Sequence, residues 1–176
     1  RPLLPMGFSS TRPGTRNMDL RADNPAPLLY VEALDGGDAT KKAGWRDEIF
    51  SWDAPFSTAA QSLAKVADRY ARIIWGDQNN ALLYTQWYDT RNEKIFLLNP
   101  SAKTTKLISE RNSQDVYSDP GSVHTAKNEF GSYVMVLQNN KSIWIGDGFT
   151  KDGQYPFVEE LDMATFAKKR LYTADS

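Results

Sequence analysis

The feature that most constrains the fold is an internal repeat of short strand patterns. The run LLYVEALD ends at Asp35, and 54 residues later LLYTQWYD ends at Asp89. Upstream, MDLRADN and RIIWGDQ keep the same spacing, and downstream the Ile-Phe pairs at Phe50 and Phe96 lie 46 residues apart. Short runs rich in Val, Ile, Tyr, Phe and Trp, bounded by Gly, Pro, Asn and Asp, predict β-strands.

A fourth strand pattern closes each of these two units. QSLAKV aligns with TKLISE when Leu63 is placed on Leu107, 44 residues apart. The segment 57–70 is the best candidate for a helix, but it is rich in small residues and weakly amphipathic. We therefore predict a loop there, followed by a short strand at 61–65 and a turn. Four patterns in the same order in both units argue against chance repetition.

A third, looser copy follows. Ser132–Gln138 is expected to supply its aromatic-aliphatic strand, KSIWIGDG an extra hairpin arm, FVEELDMAT the third strand and KKRLYTA the fourth. The turn after the third strand is expected at equivalent places in all three units: Asp53 to Pro55, Asn99 to Ser101 and Asp162 to Thr165.

Repeats of about 40–50 residues with four strands each are typical of β-propeller blades. The sequence thus predicts an all-β, partial β-propeller of about three four-stranded antiparallel blades, with approximate boundaries 12–65, 66–110 and 111–176. Propellers close with about four to eight blades, so the remainder of the ring is expected from a longer protein or from another chain. The chain ends agree with a piece of a longer protein: RPLLP carries no initiator Met, and ADS directly follows a strand-like run. A processed mature N-terminus is the alternative.

Composition excludes several classes of function. The net charge is −1, with 24% charged residues, which argues against a nucleic-acid or anionic-membrane partner because neutralising phosphates needs an excess of Lys and Arg. No apolar run approaches the about 20 residues of a membrane-spanning helix. The absence of cysteine removes disulfides, thiolate metal sites and cysteine nucleophiles.

Catalytic and metal-binding patterns are also missing. A nucleophile elbow needs Gly-x-Ser-x-Gly, and Gly121-Ser122 lacks the second glycine. His124 is the single histidine, so no catalytic residue, metal site or cofactor is predicted. Asp35-Gly36-Gly37-Asp38 and Asp147-Gly148 lack the alternating ligands of a calcium loop and are predicted to be turns.

An ordered set of motifs resembles a known family. LLYVEALDGGD, RD at a strand start, DAPF, RYARIIWGD, YSDPGS and PFVEELDMAT together resemble the propeller of prolyl oligopeptidase-family serine peptidases. The resemblance is to the glutamyl endopeptidase branch, often labelled dipeptidyl aminopeptidase or acylaminoacyl peptidase, and it spans Thr15 to Leu171. It implies a propeller over the mouth of a separate α/β-hydrolase domain, which restricts access to short or unstructured peptides. It also implies that the catalytic Ser, Asp and His lie in that hydrolase domain, and it favours a periplasmic or secreted protein.

The resemblance suggests where contacts of this chain could lie. The insert in the first unit, 35–44, is expected to project from one end of a blade, where it faces either the peptide channel or the hydrolase domain, or is simply a solvated loop. The substrate-channel or interdomain candidates are Lys41, Lys42, Arg46, Trp87 and Arg91. Arg46-Asp47 is predicted to be a local ion pair or turn brace, and the rings of Trp45 and Trp87 are predicted to pack within blades.

Two other classes of function stay open at this stage. One is a non-catalytic propeller that serves as a binding platform for protein or glycan partners. The other is a metal-dependent propeller enzyme resembling lactonases or phytases, which would need several acidic residues and histidines at its channel. For the isolated chain we also expect self-association, because the outer faces of the end blades have no neighbour in this sequence.

Overall fold

The computed structural model describes residues 7–175, which form five antiparallel sheets and one short 3-10 helix, Val116–Ser118. The residues at both extreme ends, 1–6 and 176, lie outside the described residues, and with them the RPLLP segment discussed above. Within 7–175, no helix has the length and apolar character needed to cross a membrane.

Two four-stranded sheets account for the first two repeats. The first sheet consists of β1 (Thr15–Leu20), β2 (Leu28–Ala33), β3 (Asp47–Trp52) and β4 (Gln61–Val66). The second sheet consists of β5 (Arg69–Trp75), β6 (Ala81–Trp87), β7 (Asn92–Asn99) and β8 (Thr104–Asn112). In each, the strands lie side by side in chain order, as a meander. The predicted strand near 61–65, in place of a helix, is confirmed.

The third sheet differs from its prediction at its start. Its strands are β9 (Ser122–Val123), β12 (Leu137–Gln138), β13 (Lys141–Gly146), β16 (Phe157–Asp162) and β17 (Lys168–Thr173). Two small hairpins complete the chain: β10 (Thr125–Lys127) with β11 (Tyr133–Met135), and β14 (Phe149–Thr150) with β15 (Gly153–Gln154).

The assignment of Ser132–Gln138 as the second strand of the third unit was therefore wrong. That segment is divided between β11 and β12, and KSIWIG forms the second strand itself rather than an extra hairpin arm. The reason is the alternation in KSIWIG, where Ser142, Trp144 and Gly146 are buried, so this run fits the middle of a sheet. The third and fourth strands lie where they were predicted.

The sheets stack through two apolar cores that share the second sheet. Strand β6 is buried on both faces: Ala81 and Leu83 pack towards the first sheet, Leu82 and Tyr84 towards the third. The first core is completed by Leu29, Val31, Ile49, Leu63, Ala64, Val66, Trp75 and Leu98. The second core is completed by Ile95, Leu97, Val123, Met135, Trp144, Leu161 and Met163. This face-to-face stacking of meander sheets confirms the predicted all-β, partial β-propeller.

A shared irregularity shows that the sheets are true structural repeats. The third and fourth strands shift register once in each of the three large sheets, between Ile49 and Phe50, between Ile95 and Phe96, and between Val158 and Glu159. The extra residue of such a bulge opposes no single partner. Phe50 pairs with Ser62 whereas Phe96 pairs with Leu107.

The sequence alignment of Leu63 with Leu107 is thus off by one residue. Leu63 corresponds to Ile108, since both lie within the bulge and both contribute to a core, whereas Leu107 is exposed. The three predicted turns after the third strand are confirmed, with Asn99 and Asp162 each accepting hydrogen bonds from backbone N–H groups of its turn.

The strand order defines an inner edge, an outer edge and two ends of the stacked sheets. The inner edge of the sheets is formed by β1, β5 and the pair β9 and β12, and the outer edge by β4, β8 and β17. Because the strands are antiparallel, segments 34–46, 88–91, 113–121 and 147–156 all lie at one end, which we call the insert end.

Candidate functional site

A buried group of opposite charges lies at the insert end, where the first and second sheets meet. The guanidinium of Arg69, at the start of β5, contacts both oxygens of Asp35, with Nη1 to Oδ1 at 2.9 Å and Nη2 to Oδ2 at 2.8 Å. Arg69 Nη1 also donates to Asp47 Oδ1 at 3.0 Å. All three residues are buried. Such a two-pronged pair fixes geometry more firmly than a single contact, because the guanidinium fork matches a carboxylate.

Asp47 holds the first strand to this junction as well. Arg16 on β1 forms an ion pair with Asp47 Oδ2, and the backbone N–H of Tyr70 donates to the same oxygen at 2.7 Å. A buried carboxylate needs such partners because leaving an ion without them in a dry interior is costly. We name Arg16, Asp35, Asp47 and Arg69 the junction cluster.

Asp35 is held as a carboxylate. Burial alone would raise its pKa, but the hydrogen bonds from Arg69 and Arg46, the charge of Arg69 and the Gly37 N–H together outweigh burial, so the pKa of Asp35 lies below its ordinary value. The Asp35 side chain thereby fixes the first turn of the insert, since its Oδ1 accepts from Gly37 N at 3.0 Å. The predicted Asp-Gly turn is confirmed.

The N-terminal segment crosses the same junction. The carbonyl of Ser9 accepts from Arg69 Nε at 2.7 Å, and its hydroxyl accepts from Tyr88 N at 3.0 Å. Thr11 N donates to the carbonyl of Gly37 at 2.9 Å. Residues 8–12, which we call the strap, therefore tie the insert to the second sheet.

Two predicted site residues, Arg46 and Trp87, meet across the junction between the sheets. The guanidinium carbon of Arg46 lies 4.4 Å from the ring centroid of Trp87, the last residue of β6. Arg46 Nη1 also donates to Asp35 Oδ2 at 2.9 Å. The predicted local pair between Arg46 and Asp47 was wrong: Arg46 pairs with Asp35, and Asp47 pairs with Arg16 and Arg69, because Asp47 points into the sheet junction.

The other predicted residues lie apart from the junction cluster. Arg91 lies over the ring of Tyr88 at 3.6 Å, and Phe8 stacks on the same ring at 4.3 Å. Lys41 and Lys42 are exposed on the insert, with the Lys41 ammonium beside Gly36. Among the described residues, neither lysine takes part in a salt bridge.

Trp45 does not pack within a blade as predicted. Its side chain is 55% exposed, because it precedes β3 in the loop rather than occupying an inward strand position. Trp87, by contrast, is partly buried beneath Arg46.

The junction cluster escaped the sequence analysis, although one signal pointed to it. Asp47 stands two residues before Ile49, so the alternation of β3 places both side chains on the buried face. A charged residue in phase with the core requires a buried partner of opposite charge. Nothing in the local sequence identifies Arg69 and Arg16 as those partners, since they lie 22 and 31 residues away.

The residues considered for catalysis have other roles in the fold. Ser122 begins β9, opposite Ile145, and does not occupy the sharp strand-to-helix turn of a nucleophile elbow. His124 is exposed, and its backbone N–H donates to Ile143 O at 2.7 Å. Within residues 7–175, no group of three or more His, Cys, Asp or Glu side chains is placed to hold a metal ion.

Comparison with known proteins supports the resemblance noted in the sequence. No protein-family model matches the chain. The chain is 35% identical over 181 residues to a probable chloroplastic glutamyl endopeptidase of Oryza sativa subsp. japonica, and 33% identical over 182 residues to its counterpart in Arabidopsis thaliana. The chain resembles one segment of glutamyl endopeptidases. Each match covers 98% of this chain, which spans 19% of the length of each relative. The predicted resemblance to the glutamyl endopeptidase branch is therefore confirmed over nearly all of the chain.

Solved structures overlay on this glutamyl endopeptidase-like segment only loosely. The AtxE2 isopeptidase variant with bound astexin3-dC4 matches with a TM-score of 0.47 and 9% identity, over 90% of this chain and 20% of that one. TolB from Acinetobacter baumannii matches with a TM-score of 0.42 and 14% identity, over 87% and 32%. At such scores the overlays carry no functional information.

Proposed function

We propose that this chain is a propeller segment of a longer serine peptidase of the prolyl oligopeptidase family, and that it helps to restrict peptide access to a separate hydrolase domain. The longer protein is called the parent below. The chain is not catalytic on its own in this proposal, and the nucleophile, base and acid belong to the hydrolase domain.

The similarity to glutamyl endopeptidases over 98% of the chain is the observation that carries this proposal. Two features of the fold support it. The sheets stack as consecutive blades, and the outer faces of the first and third sheets carry apolar side chains that no further sheet among the described residues covers, such as the stacked rings of Tyr30 and Phe50. Further blades of the parent would cover these faces.

The proposal is tested with a fluorophosphonate probe, which labels an activated serine. The parent should be labelled and should cleave a chromogenic glutamyl substrate, whereas the 176-residue chain should give background signal in both assays. A parent that is not labelled, yet binds glycans or folded proteins, would instead favour the non-catalytic binding platform.

We also propose a role for the predicted contact residues. Lys41 and Lys42 present two exposed positive charges at the insert end, while Arg46 and Trp87 brace the base of the insert and Arg91 lies beside it on Tyr88. In this proposal the lysines contact an acidic surface of the hydrolase domain or the incoming peptide.

Reversing the two charges tests this role. The Lys41→Glu, Lys42→Glu double variant of the parent should show lower kcat/KM, with a smaller deficit at high salt because exposed charges are screened. The matched control reverses two charges of the outer strand, Lys168→Glu and Lys169→Glu. An equal effect of both double variants would refute a specific role for the insert.

A further inference from the structure

A hairpin interrupts the innermost strand of the third sheet. Val123 of β9 pairs with Trp144, and Leu137 of β12 pairs with Ser142, so β9 and β12 pair with the same edge of β13. At the root of the hairpin, the backbone carbonyl of His124 accepts a hydrogen bond from the backbone N–H of Val136 at 3.0 Å. Residues 125–135 thus form an insertion that leaves the inner edge and returns to it. We call it the inner hairpin.

The inner hairpin reaches across the inner edges of the other two sheets. Met135 is buried in the core between the second and third sheets, and Val134 packs against the core between the first and second. At the tip, Asn128 Nδ2 donates to the carbonyl of Ala22, in the loop after β1, at 2.7 Å. One short element therefore touches all three sheets on the side where the axis of a ring would lie.

The tip of the hairpin is held in one conformation. Asn128 Oδ1 accepts from the N–H groups of Phe130 and Ser132, both at 3.0 Å, while its amide nitrogen is engaged with Ala22. Gly131 adopts a positive φ of 76°, which completes the turn. Because both polar atoms of the Asn128 side chain are engaged in hydrogen bonds, the tip is a fixed obstacle rather than a loose loop.

Two aromatic side chains of the hairpin remain exposed. Tyr133 is 63% exposed and Phe130 53%, and the Lys127 ammonium lies 5.6 Å from the ring centroid of Tyr133. Large aromatic side chains are usually buried or engaged in binding, and aromatic surfaces are used to hold extended peptides.

From these contacts we infer that the inner hairpin forms a constriction in the axial channel of the parent, with Tyr133 facing the opening and Phe130 at the tip, beside loop 76–79 of the second sheet. The inference rests on the proposed function and adds to it the element that limits substrate width. A linear, extended peptide passes beside the hairpin, whereas a peptide of the same sequence closed into a ring is too wide.

The test compares two substrates in the parent. One is a linear glutamyl peptide, and the other is the same peptide cyclised by a disulfide between added terminal cysteines. The readout is the ratio of kcat/KM for the cyclic peptide to kcat/KM for the linear one, which cancels effects common to both. A small chromogenic substrate reports the activity of the catalytic domain.

The first variant replaces residues 128–132 by Asn-Gly, which joins Lys127 to Tyr133 through a two-residue turn suited to a hairpin. The second is the double variant Phe130→Ser, Tyr133→Ser, which alters exposed side chains and keeps the anchor at Asn128. The control is Tyr117→Ser, because Tyr117 is 62% exposed but lies in the 3-10 helix that follows the outer strand β8, away from the inner hairpin and from both outer faces.

Both variants should raise the ratio severalfold with little change towards the small substrate, and the control should leave the ratio unchanged. An unchanged ratio in the double variant, with activity on the small substrate intact, overturns the constriction and leaves the proposed function standing. A parent that cleaves neither the small nor the linear substrate overturns both.

Discussion

Arg69, at the start of β5, links three other segments of the chain at the junction of the first two sheets. Its guanidinium donates to the strap at Ser9, to the first residue of the insert at Asp35, and to both the carbonyl of Arg46 and the carboxylate of Asp47. Because these segments are far apart in sequence, the side chain fixes tertiary structure rather than local conformation.

Removing the side chain of Arg69 should therefore lower the free energy of unfolding. Arg69→Leu leaves two buried carboxylates with fewer partners, and breaking a buried pair typically lowers the free energy of unfolding by about 3–5 kcal/mol. Arg69→Lys should lower the free energy of unfolding by less, since lysine keeps the charge but not the two-pronged contact. Urea unfolding followed by circular dichroism measures the free energy of unfolding of both variants. The control is Lys42→Leu at an exposed position, whose free energy of unfolding is expected within about 0.5 kcal/mol of that of the unmodified chain. A loss below about 1 kcal/mol for Arg69→Leu would mean that the two carboxylates do not depend on Arg69 as their partner.

Asp35 should make stability sensitive to acid. Its pKa is lowered in the folded chain, so its contribution is complete above its ordinary pKa of about 3.9 and is lost as the pH falls through the lower, folded value. Asp35→Asn should reduce stability near neutral pH and flatten the acid limb of the profile. The check is the free energy of unfolding measured from about pH 6 down to about pH 2. Parallel acid limbs for the two proteins would contradict the assigned role.

At the scale of elements, alternation and repeat spacing predict the strands well. Patterns that extend over only a few residues predict the four strands of each of the first two sheets, including β4. They also predict the turns after the third strands. The inner hairpin does not, because splitting one strand into β9 and β12 leaves two pieces of two residues each, too short to show a period.

Long-range partners and single-residue register are similarly hidden from the sequence. Both sheets carry the bulge at the same place, and the sequence does not mark Ile108, rather than the neighbouring Leu107, as the counterpart of Leu63. The ion-pair partners of Asp47 depend on the packing of two sheets, so the neighbouring Arg46 was incorrectly predicted to be its partner.

The strap and the insert should form one unit that depends on Gly37. This residue has a positive φ of 80°, and a Cβ there would overlap the carbonyl oxygen of Thr11. Gly37→Ala should thus displace the strap and speed tryptic cleavage at Lys41 and Lys42. Gly14→Ala is the matched control: its φ is 84° but a Cβ would meet no atom of residues 7–175 within 4 Å, so the backbone cost of about 1–2 kcal/mol is the cost expected. Equal stability and equal cleavage rates in the two variants would show that the strap does not depend on this contact.

For the whole molecule, the decisive property is that no further sheet within residues 7–175 covers either outer face of the stack. The face of the third sheet carries Ile143, Ile145, Val158 and Tyr172, and that of the first carries Tyr30 and Phe50. Apolar surface left in water costs about 25 cal/mol per Å², so a few hundred Å² weigh against a total stability of only about 5–15 kcal/mol.

The isolated chain should therefore self-associate at micromolar concentration. Ile145→Lys, on the outer face of the third sheet, should weaken the association. Val116→Lys should not, although Val116 is similarly exposed, because it lies in a loop at the insert end. Light scattering over a dilution series provides the measurement. A compact monomer at all concentrations that binds no hydrophobic dye would show that these faces need no partner.

The central claim, that these sheets are consecutive blades of a larger peptidase propeller, is tested most directly by a cryo-electron microscopy structure of the parent. We predict a closed ring in which further blades cover both outer faces, the inner hairpin borders the axial channel, and the ring stands over an α/β-hydrolase domain with a catalytic serine. A parent in which both outer faces remain open to solvent, or in which no hydrolase domain adjoins the ring, would contradict it.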